Sequence, residues 1–129
     1  MQSIQGMAVL GFKLFVARSA TNCLEIYEIC NNEIDIKSVK DLPIPGLNNA
    51  FDLAVDVSNN TVYVSESMKN CVYRVVCKQN GDCKVNKFIT QGTPFGLSVN
   101  YARNVLLACK LEQQVRVVNQ HIITAVVLI

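Results

Sequence analysis

The chain has 129 residues, half of them apolar and 17% charged, with 12 Lys and Arg against 10 Asp and Glu. That composition fits one folded domain with its own core and excludes a disordered tail. The basic residues are scattered rather than gathered into a nucleic-acid footprint. The longest apolar tract, residues 122–129, falls well short of the about 20 residues that a membrane-spanning helix needs, so no membrane insertion is expected.

In chain order, the first elements are three short alternating segments, Gly6–Val9, Leu14–Ala17 and Leu24–Tyr27. Period-2 alternation over four to eight residues predicts strands. Asn31-Asn32 marks a turn, a fourth strand is predicted from Ile34 to Val39, and a Pro/Gly loop starting at Pro43 ends in Phe51. The pattern then restarts with Asp52–Val55, Val62–Ser65, Val72–Val75 and Lys84–Ile89. Ser58-Asn59-Asn60 and Asn80-Gly81 provide its turns, and Asn-Gly between strands is the strongest short hairpin signal. A second closing loop runs from Thr90 to Phe95, and a third copy follows as Gly96–Val99, Val105–Ala108 and Val115–Val118.

The copies start at Gly6, Asp52 and Gly96, 46 and then 44 residues apart. β-branched residues crowd every apolar window, so no amphipathic helix is expected. Four-stranded antiparallel sheets repeated every ~40–50 residues and apolar on both faces must stack on neighbours, which is the β-propeller arrangement. The predicted fold is therefore all-β: a partial propeller of about three blades, at 6–51, 52–95 and 96–129. After Asn119 the repeat is expected to be incomplete or irregular, because the run after His121 does not alternate. Three blades leave two radial faces without a neighbour. The remaining blades of a longer chain, or a second copy, would have to close the ring, and a fragment is the expected case.

The stretches NNTVYVSESMKNCVYRV and PFGLSVNYARNVLLACKLEQQVRVV resemble NHL and YWTD-type propeller blades over residues 6–118. The resemblance departs in places: the tetrapeptide at the YWTD position reads Val62-Tyr63-Val64-Ser65. The Asp that follows the second strand of an NHL blade is replaced by Glu66 and Cys109. It implies a six-bladed ring, cytoplasmic if NHL-like and extracellular if YWTD-like.

Propellers of this kind use the loops at one end of the ring. Here those loops carry Arg18, Glu66, Lys69, Lys110 and Glu112, and mixed charge on short polar loops suits a protein or peptide partner. No catalytic constellation is expected, because the one histidine, His121, lies in the doubtful tail. Nor is a zinc site, because none of the six cysteines forms a C-x-x-C pair. No cofactor is expected on this reading. A calcium-dependent lactonase of the gluconolactonase type is the alternative, with Asp52, Asn48, Asn49 and Asn100 as oxygen donors. A second alternative, from the NHL resemblance, is an RNA-binding face, for which Arg103, Lys110 and Arg116 come nearest to a basic cluster.

Cys77 and Cys83 flank the Asn80-Gly81 turn. A three-residue loop, Gln79-Asn80-Gly81, sets them face to face and allows a disulfide, whereas a two-residue turn offsets them. Asn59-Asn60-Thr61 is an N-x-T acceptor sequon on a predicted exposed turn, relevant only to a secreted protein.

Overall fold

The structure, a computed structural model, describes residues 3–89, 94–99, 105–109, 114–119 and 122–128. Twelve strands form three four-stranded antiparallel sheets, each ordered as a meander, so the chain is a partial β-propeller. Blade 1 comprises β1 (Ile4–Leu10), β2 (Lys13–Arg18), β3 (Cys23–Cys30) and β4 (Glu33–Pro43). Blade 2 comprises β5 (Ala50–Asp56), β6 (Thr61–Glu66), β7 (Cys71–Cys77) and β8 (Cys83–Ile89). Blade 3 comprises β9 (Pro94–Val99), β10 (Val105–Cys109), β11 (Gln114–Asn119) and β12 (Ile122–Leu128).

Each turn has a local cause. Asn31 and Asn32 both hold positive φ, 52° and 61°, as a two-residue type I′ turn requires. After β5 a single 3-10 turn, Val57–Asn59, ends on Asn60 in the left-handed region. The Asp56 carboxylate fixes it by accepting hydrogen bonds from Ser58 Oγ and Asn59 Nδ2, both at 2.9 Å. Between β7 and β8 the loop is the three residues 79–81. Lys78 N–H donates to Asp82 O at 2.7 Å, and Gly81 takes φ +95°, a backbone that a Cβ would strain. Cys77 therefore faces Cys83, and the two form a disulfide.

The blades pack through alternate residues. Ala8, Leu10, Phe15, Ala17 and Leu24 of blade 1 meet Leu53, Val62, Val64, Tyr73 and Val75 of blade 2 in the larger core. Each fully buried Val, Leu or Phe there contributes about 1.5–3 kcal/mol. A second core joins Tyr63 and Val72 of blade 2 to Val105, Cys109 and Val118 of blade 3. Polar staples reinforce that seam. Asp52 accepts from Leu53 N–H and from Leu97 N–H, each at 2.9 Å, and Ser65 Oγ donates to Phe95 O at 2.6 Å.

Blade 3, expected to be incomplete or irregular after residue 119, has a fourth strand: β12 pairs with β11 from Asn119↔Ile122 to Gln114↔Leu128. A register shift between Val117 and Val118 accommodates a strand whose sequence does not alternate. Each blade begins two residues before its expected start, at Ile4, Ala50 and Pro94. Phe51 and Phe95 do not close the preceding blades but are the second residues of β5 and β9. Their rings meet edge to face at 4.9 Å where the inner strands of blades 2 and 3 adjoin.

Candidate functional site

The β2–β3 loop, the β6–β7 loop and the connection from β4 to β5 lie at one end of the sheets, here called the loop end. The candidates behave differently there. Glu66, the last residue of β6, is fully buried. Its Oε2 accepts N–H bonds from Asn48 and Asn49, each at 2.9 Å, and its Oε1 accepts one from Met68 at 3.2 Å. It is therefore not the exposed ligand contact expected from sequence: it anchors both loops from beneath. Ser67 adds to the joint through N–H and hydroxyl bonds to Asn49 O.

Above this anchor the surface is Met68, 73% exposed, with Lys69 beside it. Lys69 Nζ donates to Gly46 O and spans the two loops. Gly46 has φ +90°, and a Cβ there would lie 2.8 Å from Tyr73 Oη, so both backbone and space require glycine. Burial, together with Cys71 and Glu66 nearby, pushes the Tyr73 hydroxyl up to about 12. Burial and the Glu66 carboxylate likewise push up the Cys71 thiol.

Arg18 lies apart from this platform. It ends β2, and its Nε donates to Glu25 Oε2 at 2.7 Å, while Tyr27 Oη donates to Glu25 Oε1 at 2.7 Å. Burial raises the Glu25 carboxyl, but the hydrogen bonds from Arg18 and Tyr27 outweigh it and leave it below its ordinary value. The hydrogen bond to Glu25 in turn raises the Arg18 guanidinium and the Tyr27 hydroxyl. Arg18, Glu25 and Tyr27 alternate away from the core that faces blade 2. They lie on the radial face of blade 1 that carries Met7 and Val9.

Three of the four oxygen-donor residues of the calcium alternative lie among the described residues. Both Asp52 carboxylate oxygens accept backbone N–H bonds, and Asn48 and Asn49 face Glu66 through their backbones. Among the described residues no cluster of three His, Cys, Asp or Glu side chains could hold a metal ion. Arg116 is buried against Gln114, with Nε and Nη2 on Gln114 Oε1 at 3.0 and 2.6 Å, so it does not contribute to an exposed basic face. Asn59 Nδ2, the atom a glycan would occupy, donates to Asp56. Lys110, Glu112, Asn100, Arg103 and His121 lie outside the described residues. Among the described residues no helix is long and apolar enough to cross a membrane.

Sequence reasoning missed the joint that Glu66 makes, because its partners are backbone N–H groups 17 and 18 residues away. The available signal was Gly46 followed closely by Asn48-Asn49, a turn composition just ahead of β5.

No protein-family model and no curated protein matches the chain. Solved structures do. Virginiamycin B lyase from Staphylococcus aureus superposes with a TM-score of 0.77 at 12% identity, over 99% of this chain and 42% of that one. The luciferin-regenerating enzyme gives 0.72 at 15% identity, over 95% and 45%. A chain of the nidogen/laminin complex gives 0.67 at 14% identity, over 90% and 43%. The chain thus spans less than half the length of each of these structures, two named as enzymes and one seen in a protein complex. At such low identity the likeness establishes the fold alone, and the chain is a run of three consecutive blades of the β-propeller fold.

Proposed function

We propose that these blades belong to a protein–protein interaction module within a larger multidomain protein, binding a protein or peptide partner through the loop end. The observation that carries this reading is the platform built on Glu66. A buried carboxylate fixes two loops from below, so the exposed Met68 and Lys69 stand on a preorganised base. Met is enriched at protein interfaces, and preorganisation lowers the entropic cost of binding. The likeness to a propeller seen with a protein partner supports the same reading.

The module completes a ring, of six blades on the NHL and YWTD resemblance, through further blades of its own chain or a second copy. The exposure of Met7 and Val9 on the radial face of blade 1 supports this. The Cys77–Cys83 disulfide fits an oxidising compartment and so the YWTD-type side of the resemblance.

A photo-crosslinking residue at position 68, in the intact protein, tests the reading. A partner protein should be captured from position 68 and not from position 57 at the other end of the blade. A second reading, a hydrolase or lyase with a calcium-dependent lactonase as its specific form, draws on the enzymes among the similar structures. Calcium-dependent turnover of a lactone by the intact protein, with no crosslink from position 68, would replace the first reading by the second.

A further inference from the structure

Blades 1 and 2 part at the end opposite Met68, where the β1–β2 and β7–β8 turns lie. Between them runs a groove of about 420 Å³, within the size range of ligand pockets. Its floor is apolar: Leu10 and Phe15, both buried members of the larger core. One wall is Phe12, 78% exposed at the tip of the β1–β2 turn, and the other is Asn60 with residues 77–79.

Both walls are pinned. Phe12 O accepts from Ile29 N–H at 2.8 Å, and Asn60 O accepts from Cys77 N–H at 3.1 Å. The disulfide to Cys83 closes the hairpin behind the second wall. An exposed phenyl ring beside a preformed apolar floor is the informative case, because a lone surface apolar residue has no adjoining cavity.

The charges decide what fits. Lys13, Glu28 and Lys78 line the groove. Lys13 Nζ lies 3.9 Å from Glu28 Oε1, a loose pair, and the exposed Lys78 lines the groove on the blade 2 side. The lining is apolar below and net positive at the rim. Two lysines against one carboxylate can meet a short acidic segment, but they fall short of the run of cations that a nucleic-acid backbone needs.

We infer that this groove binds an extended acidic peptide segment. An apolar or aromatic side chain of the segment rests on Leu10 and Phe15 against Phe12, and flanking carboxylates meet Lys13 and Lys78. The site is at the opposite end from the platform and stands whether or not the loop end binds a partner.

The test is fluorescence anisotropy of the intact protein with fluorescein-labelled Asp-Asp-Phe-Asp-Leu, with two control peptides, Asp replaced by Asn and Phe replaced by Ser. Each control should bind at least about fivefold more weakly. Phe12→Ala, an exposed position whose loss leaves the core intact, should weaken the acidic peptide about tenfold. Lys13→Glu with Lys78→Glu should weaken it at least about tenfold and gain affinity for Lys-Lys-Phe-Lys-Leu, a charge swap that mere misfolding cannot give. Val39→Asp, at an exposed position of β4 outside the groove, should leave binding unchanged. The inference is overturned if the acidic peptide binds no tighter than its Asn version. It is equally overturned if Phe12→Ala and the double reversal stay within about twofold of the parent, or if Val39→Asp abolishes binding.

Discussion

The two radial faces of blade 1 belong to one sheet and have opposite fates. On the face toward blade 2, Leu10, Phe15, Ala17 and Leu24 are buried in a shared core. On the other, Met7 and Val9 are 60% and 53% exposed. Leu14 and Val16 on that side are nonetheless buried, next to the strand positions of Glu25 and Tyr27. In the repeat, Met7 and Val9 correspond to Leu53 and Val55 of blade 2, which pack against blade 1. The open face of blade 1 therefore has the chemistry of a covered one. On its innermost strand, β1, burial comes from the neighbouring blade, as in other repeat architectures, whereas Leu14 and Val16 of β2 are covered within the sheet's own face.

Four measurements break or sharpen that comparison. Phe15→Ala should remove about 3–5 kcal/mol from the unfolding free energy in urea, as a buried aromatic does, whereas Met7→Ala should stay within about 0.5 kcal/mol. Equal losses would mean that both faces are covered in solution. Next, Glu66→Leu should cost about 3 kcal/mol, because it leaves three backbone N–H groups without their acceptor. Glu66→Gln, which keeps an acceptor oxygen, should cost less. This loss belongs to the joint at the loop end, so it should leave the Met7 and Phe15 values unchanged.

The third measurement is pH. Tyr73 sits in the covered interface with its hydroxyl raised to about 12 from an ordinary value near 10. The folded state then holds the proton that the unfolded state releases. Stability is intact below pH ~10 and falls as pH rises from there toward 12. A denaturation midpoint followed through that window checks it, with Tyr73→Phe as the variant whose alkaline loss should shrink. The smallest effect is on the open face. Glu25→Gln breaks a partly exposed ion pair with Arg18 and should cost under about 1 kcal/mol. The Glu25 carboxyl is lowered, so its contribution is present above the ordinary carboxylate range and fades as pH falls through the folded value. A cost of several kcal/mol would show that Arg18 and Glu25 are desolvated by a neighbour.

The sequence made the strands and turns legible because alternation and Asn/Gly turns are local signals. Asn31-Asn32 and Asn80-Gly81 turn where their composition puts them. It left the Cys77–Cys83 register open, because a two-residue and a three-residue loop share one composition and only the hydrogen bond from Lys78 to Asp82 separates them. It left the end of blade 3 open, where a run that is apolar apart from Thr124 carries no period to read. The loop end was the least legible part. Arg18 and Glu66 occupy equivalent positions at the ends of β2 and β6, yet one joins a radial face and the other disappears under two loops. What separates them is the path of residues 46–49, a long-range property that residue type alone does not encode.

The bond from Leu97 N–H to the Asp52 carboxylate has a consequence for time as well as shape. That amide belongs to blade 3 but its acceptor belongs to blade 2, so it can exchange with solvent only when the seam opens. Its hydrogen-exchange rate is therefore a clock for blade separation. It reports partial opening, with each sheet still intact, that a global melting curve averages away.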